Sequence, residues 1–243
     1  MRAILELDKI CKRFGAVLAT ENLSAHLNHG EALGVIGPNG SGKTTMFNII
    51  TGIVTADSGR VLFDGVEISR LPAFERCRRG IARSFQIPLP FAGMTVFENL
   101  LVGATFGDGK PERAVYGRCL EILEETGLKA KSNLRSGSLT LLDRKRLELA
   151  RALATNPKVL LLDEIAGGLT EQECRLLVEE ISRIRERGVS IIWIEHVVHA
   201  LLAVVDRLLV INFGRQIADG DPRKIMASRA VKDIYMGQED DAI

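Results

Sequence analysis

Gly37-Pro38-Asn39-Gly40-Ser41-Gly42-Lys43-Thr44-Thr45 satisfies G-x-x-x-x-G-K-[ST], the pattern of a phosphate-binding loop. The preceding Ala32-Leu33-Gly34-Val35-Ile36 reads as a short buried strand. Residues 44–50 read as the first turns of a helix, with Phe47, Ile49 and Ile50 available for burial. Glycines let successive backbone N–H groups turn inward around an anion, and a helix N-terminus adds its partial positive charge. Gly37, Asn39, Gly40, Ser41, Gly42, Lys43, Thr44 and Thr45 are therefore the expected nucleotide-binding residues. Lys43 has the reach for the β- and γ-phosphates, and the Thr44 hydroxyl suits Mg²⁺. The chain is expected to bind a nucleoside triphosphate.

The remaining composition sets bounds. A chain of 243 residues buries a substantial core, as one domain or as one domain carrying an inserted lobe. Its formal net charge of +1 gives no global electrostatic case for nucleic acid or an anionic membrane. Residues 197–211 form the longest apolar stretch, which is short for a bilayer and broken by His199, Asp206 and Arg207. The N-terminus is charged within its first residues and lacks a signal-peptide core. Cys11, Cys77, Cys119 and Cys174 show no paired spacing and read as reduced thiols. A cytoplasmic protein is expected.

Along the chain, strand and helix patterns alternate. Residues 4–7 and 23–27 read as strands, and 59–63 and 67–68 flank an Asp64-Gly65 turn, a hairpin signal. Another short apolar run covers 81–85. From Pro88 the pattern turns helical: Thr95 precedes a helix to Ala104, a second covers 112–126, and Asp143 is placed to cap a third. Strands return at 159–162 and 189–194, separated by an amphipathic helix over 171–187. The expected architecture is a single α/β domain over 1–243. Its core, residues 1–87 and 155–243, holds a parallel sheet and an N-terminal antiparallel β subdomain, and residues 88–154 form an inserted helical lobe.

Val159-Leu160-Leu161-Leu162-Asp163-Glu164 is the second chemical element. An apolar strand ending in two acids places both at its C-terminal edge, where ligands sit in open α/β sheets. Asp163 fits a Mg²⁺ partner, and Glu164 fits the group that orients and deprotonates the attacking water. Gln86 and His196 also stand where strands run out, and each has the chemistry to address a γ-phosphate. Taken alone, either reads equally well as a loop or capping residue.

The order of these elements resembles the ATP-binding subunit of ABC transporters, across nearly the whole chain from Phe14 to Gly237. The resemblance implies a P-loop NTPase (ABC ATPase) fold and hydrolysis of ATP with Mg²⁺. It implies that Phe14 stacks on adenine, that Gln86 couples Mg²⁺ and water to a transmembrane partner, and that His196 contacts the γ-phosphate. Phe91-Ala92-Gly93-Met94-Thr95-Val96-Phe97-Glu98-Asn99-Leu100 is similar to subunits serving branched-chain amino acid and amide uptake. So are the segments from Gly214 to Pro222 and from Val231 to Gly237.

Departures from the family pattern fall on one side of the chemistry. Members carry a Leu-Ser-Gly-Gly-Gln signature that reaches a partner's nucleotide; in that register stands Leu139-Thr140-Leu141-Leu142-Asp143. Arg135-Ser136-Gly137-Ser138-Leu139 lies four residues out of step. Thr140 keeps a hydroxyl to offer phosphate, whereas Leu141 and Leu142 replace glycines that let backbone approach an anion. Asp143 sets a carboxylate beside a triphosphate unless it serves as the helix cap. Ile165 and Thr170 replace a usual proline and aspartate. The expected assembly is thus a heterodimer with a second ABC ATPase, favoured over a homodimer in which Leu139–Asp143 is a tolerated variant that still closes on phosphate. It is bound to two transmembrane permeases and fed by an extracytoplasmic solute-binding protein. The chain itself would lie on the inner face of the plasma membrane. The permeases are expected at a groove around residues 86–91 and the helical lobe, with Ile87, Leu89 and Phe91, which could equally pack within the lobe. Arg76, Arg78, Arg79 and Arg83 read as a solvated helix face and not as a nucleic-acid site. The alternative function is a soluble ABC-type ATPase or nucleotide-gated regulator uncoupled from transport.

Overall fold

The computed structural model describes residues 2–236; Gly237, expected to close the uptake-type tail, lies outside them. In chain order the elements are β1 (Ala3–Phe14), β2 (Val17–Asn28), β3 (Ala32–Ile36), α1 (Lys43–Thr51), β4 (Ser58–Phe63) and β5 (Val66–Glu67). They continue with α2 (Ala73–Arg79), β6 (Ile81–Ser84), α3 (Val96–Asp108), α4 (Glu112–Glu125), α5 (Leu141–Ala154) and β7 (Val159–Asp163). Then come α6 (Glu171–Glu186), β8 (Ser190–Ile194), α7 (Val198–Leu202), β9 (Arg207–Asn212), β10 (Arg215–Gly220), α8 (Pro222–Ala227) and α9 (Arg229–Met236).

Two sheets form. One is antiparallel, in the order β2-β1-β4-β5; the other runs β10-β9-β3-β8-β7-β6, parallel except for β10. The parallel strands are buried on both faces, which is why they read as unbroken apolar runs. Their side chains still alternate. Ala32, Ile36, Leu160, Leu162, Ile191 and Trp193 belong to a core shared with α3, α4, α5 and α6. Leu33, Val35, Val159, Leu161, Ile192 and Ile194 belong to a second core with α1 and the antiparallel sheet. Helix α1 thus lies between two sheets, with Phe47 and Ile50 fully enclosed. Each such side chain contributes about 1.5–3 kcal/mol of burial, enough to fix the phosphate loop on its strand.

Local chemistry explains most boundaries. Asp64 (φ 54°) and Gly65 (φ 77°) both take the left-handed conformation that a two-residue hairpin requires. Thr95 caps α3 in a reciprocal box with Glu98: the Glu98 N–H donates to Thr95 Oγ1 at 3.1 Å, and the Thr95 N–H donates to Glu98 Oε2 at 2.7 Å. Strand β1 runs seven residues past the expected Leu7. The pairing with β2 continues through an irregularity at Lys9 (φ 50°) into the polar Lys12 and Arg13, which carry no apolar signal. Helix α5 begins at Leu141 with Thr140 as its cap, so the expected cap at Asp143 is corrected. The Asp143 N–H donates to Thr140 Oγ1, which places Asp143 at the third helical position. Among the described residues, no helix is long and apolar enough to cross a membrane.

Candidate active site

Strands β3, β6, β7 and β8 all deliver their C-terminal ends to one edge of the parallel sheet. The loop after β3 wraps onto α1, whose N-cap Gly42 holds φ 105°. A Cβ there would meet the Ala19 carbonyl at 2.3 Å, and one at Gly37 would meet the Ile211 carbonyl at 2.0 Å. Only glycine fits this cradle. No side chain caps α1, and no acidic residue sits in its first turn, so its N–H groups and dipole face outward for an anion. Lys43 Nζ donates to the carbonyls of Gly37 (2.7 Å) and Pro38 (2.8 Å), inside the loop. Burial lowers its pKa, against the opposing pull of Glu164 and Asp163. These features fit a triphosphate.

Thr44 and Asp163 line one cavity of 440 Å³ together with Arg83, Gln86 and Glu148, so a hydroxyl and a carboxylate border one space where Mg²⁺ is expected. At the end of β7, Glu164 takes φ 48°, a left-handed conformation that costs a non-glycine residue about 1–3 kcal/mol. Its N–H is anchored to the Ile194 carbonyl at 2.8 Å. Gln86 Nε2 donates to Glu164 Oε2 at 2.5 Å, and His196 Nε2 lies 2.9 Å from Glu164 Oε1. Two residues far apart in sequence therefore converge on one carboxylate. Phe14 ends β1 with its ring half-exposed and Lys12 Nζ 5.4 Å from its centroid. The β1–β2 hairpin that carries it abuts the loop through Ala19.

Residues 139–143 look different. Thr140 Oγ1 donates to Asp143 Oδ2 at 2.8 Å, so its hydroxyl proton is not offered outward as expected. The Asp143 carboxylate is buried and paired with Lys131 Nζ at 2.5 Å, which turns its charge away from solvent. Leu141 is half-exposed, while Leu139 and Leu142 join the core.

Four residues the sequence did not flag shape the site. Arg83 was grouped with a solvated helix face, yet it sits on β6 and is nearly buried against Asp163. Arg76, of the same group, is buried too. Its guanidinium donates to the carbonyls of Ile49 (2.6 Å), Ile50 (3.0 Å), Ser69 (2.9 Å) and Leu71 (2.9 Å), closing the C-terminal end of α1. Glu195 is buried and accepts from the N–H groups of Ala166 and His196, both at 2.9 Å, tying the loops after β7 and β8 together. Lys145 on α5 is buried in the field of Glu195 and Glu164; burial lowers its pKa and the two carboxylates oppose that shift. An arginine alternating with apolar residues in a buried strand, and a second strand-end acid beside His196, were the available signals.

Comparison with known proteins gives the family. The family model described as "ABC transporter" matches residues 20–167. The chain is 35% identical to the high-affinity branched-chain amino acid transport ATP-binding protein BraF of Pseudomonas aeruginosa, covering 98% of this chain and 99% of that protein. It is 34% identical to the lipopolysaccharide export system ATP-binding protein LptB of Escherichia coli K12, with 98% of each covered. The ADP conformation of MJ1267, an ATP-binding cassette of an ABC transporter, superposes with a TM-score of 0.89 at 32% identity, covering 98% of this chain and 100% of that one. A phosphate loop, strand-end carboxylates and full-length similarity of this extent lead to one conclusion: the chain belongs to the ABC transporter family, as an ATPase with the P-loop NTPase fold.

Proposed function

We propose that this chain is the ATP-hydrolysing subunit of a membrane importer for branched-chain amino acids or related amides and small polar solutes. It would work from the cytoplasmic face of the plasma membrane, paired with a second, different ABC ATPase, on two permeases served by an extracytoplasmic solute-binding protein. Residues 88–154 act as a helical lobe set into a core of 1–87 and 155–243. The observation that carries the catalytic part is the convergence of Gln86 and His196 on Glu164, next to the Lys43 loop.

In this reading Phe14 stacks on adenine, and the loop from Gly37 to Thr45 holds the phosphates through backbone N–H groups and Lys43. Thr44, Asp163 and Gln86 would hold Mg²⁺, which would supply positive charge to offset that of the triphosphate. Glu164 takes the proton of the attacking water; each of its oxygens keeps a lone pair beyond the one given to Gln86 or His196. His196 Nε2 is then shared between Glu164 and the γ-phosphate. The partner's signature completes this site. Residues 139–143 of this chain close less well on the partner's nucleotide, because the Thr140 hydroxyl and Asp143 carboxylate bind each other.

Half-exposed Phe85 and Phe91 and the more exposed Ile87 and Leu89 lie along the edge of the site, and Arg151 stands 5.1 Å over the Phe91 ring. Such an apolar rim suits a short permease helix. Similarity to a branched-chain amino acid subunit supports import, and near-equal similarity to a lipopolysaccharide export subunit favours export as the second reading. A pull-down from solubilised membranes separates them. Recovery of two permeases, a second ATPase and a solute-binding protein is expected; recovery with a lipid-export complex, or with ribosomes or DNA, contradicts the import reading.

A further inference from the structure

Strand β6 presents one charged side chain to the buried face of the parallel sheet. Arg83 pairs in register with Leu161, two residues before Asp163, so alternation sends both side chains to the α1 side. The guanidinium forks: Nη1 donates to Asn48 Oδ1 on α1 at 2.6 Å, and Nη2 donates to Asp163 Oδ2 at 2.5 Å. The Phe47 and Phe85 ring centroids stand 5.4 and 4.9 Å from its central carbon. Side-chain exposure is 6% for Arg83 and 7% for Asp163, and Arg83 Nε is buried without a hydrogen-bond partner. A guanidinium this desolvated tolerates little displacement, since losing a partner leaves a buried charge unpaired. The same residue faces outward as well. Arg83 and half-exposed Phe85 line the same cavity as Thr44, Asp163, Ile87 and Leu89.

We propose that Arg83 is a positioning residue for the metal carboxylate. It fixes Asp163 through Oδ2 and leaves Oδ1 for water on the metal, and Phe85 carries the packing of the apolar groove to that setting. This route links groove and metal site without passing through Gln86. The proposal rests on the reading of Asp163 as the Mg²⁺ partner.

The test uses the purified full-length chain loaded with ADP, with Mn²⁺ as the probe read by electron paramagnetic resonance. ADP affinity is also measured in excess chelator. Arg83→Lys keeps the charge but loses the fork to Asn48 and Asp163. Mn²⁺ affinity is expected to fall about tenfold, the usual scale for an outer-shell partner of a metal ligand. ADP affinity without metal stays within about twofold, because the hydrogen bonds of Arg83 go to Asn48 and Asp163 and not to the phosphate loop. Phe85→Ala gives the same split at about twofold to threefold, as the guanidinium keeps both hydrogen bonds and loses one ring. Should Arg83→Lys fail to fold, Asn48→Ala removes the other tine and is expected to weaken Mn²⁺ in the same metal-specific way. Mn²⁺ affinity within twofold of wild type in the folded variant overturns the proposal. So does an equal loss of ADP affinity with and without metal, which marks a merely structural role. An unchanged Phe85→Ala overturns the link to the groove. Absence of Mn²⁺ binding by the wild-type chain contradicts the underlying reading of Asp163, a failure distinct from that of Arg83.

Discussion

Helices α1 and α5 each bring an N-terminus to a place where a triphosphate is expected, and they prepare it in opposite ways. Helix α1 starts from a left-handed glycine, has no side-chain cap and carries no acid in its first turn. Helix α5 starts from Thr140, whose hydroxyl accepts the Asp143 N–H, and it carries that aspartate in its first turn. The first arrangement leaves N–H groups and dipole for a ligand; the second satisfies one N–H, that of Asp143, within the chain and sets an acid against the dipole. A cap that stabilises a helix by about 1 kcal/mol also withdraws the groups that would bind an anion. Stability and anion binding compete for the same few N–H groups, and the two helices resolve that competition differently.

The largest expected effect tests the α1 side. Glu164→Gln keeps the shape of the carboxylate and removes the base, so steady-state ATP turnover falls by about 10²–10⁴-fold while ATP affinity changes little. Turnover at the wild-type rate would show that the proton goes elsewhere. Lys43→Ala removes the cation enclosed by the loop. Nucleotide affinity, measured by calorimetry, is expected to drop about 10–100-fold, the scale of one or two charge-assisted hydrogen bonds.

A smaller change sharpens the α5 side. Leu141 is half-exposed at the helix start, so Leu141→Gly clears its side chain with modest loss of core. Turnover of the isolated chain is expected to rise several-fold, against a helix cost of about 1 kcal/mol from the added glycine. Unchanged turnover would mean that the bonded Thr140–Asp143 pair, and not the leucine, limits closure.

The smallest effect concerns Glu148, beside the groove. Burial raises its pKa, with Arg151 and the backbone at Phe85 opposing the shift. A carboxyl whose folded pKa lies above its unfolded value favours folding while protonated and loses that contribution as pH rises through the folded pKa. Glu148→Gln should therefore stabilise the chain above neutrality by about 1 kcal/mol, roughly 2–4 °C in Tm. The difference should fade toward pH 4. A variant that is less stable at pH 8 would show that the Arg151 pair outweighs the desolvation.

The α1 half was legible because anion binding dictates unusual local sequence. Three glycines, a lysine and a hydroxyl at fixed spacing have few other uses, and an apolar strand ending in Asp163-Glu164 can be placed once that loop is found. The α5 half was harder. Thr140 and Asp143 stand three apart, the spacing of a capping box with aspartate for glutamate, and reading Asp143 as the cap overlooked that the hydroxyl comes first. Lys131 lies outside that box, nine residues before Thr140, and no local pattern announces its bond to Asp143. Arg76 and Arg83 were misjudged for a related reason. Closeness in sequence suggested one basic face, but one belongs to a helix and the other to a strand, and their partners on α1 and β7 are set by tertiary packing. Local chemistry announces itself in sequence; long-range pairing of charges does not.

Unequal preparation of α1 and α5 predicts that this chain binds ATP in its own site and hydrolyses it with a partner's signature, but cannot close on a second copy of itself. Light scattering on the eluting Glu164→Gln chain, in saturating ATP and Mg²⁺, tests this most directly, because hydrolysis no longer dissolves any dimer that forms. A monomer with ATP bound is expected. A stable homodimer that appears only with ATP would contradict it, since residues 139–143 would then be closing on phosphate as they stand.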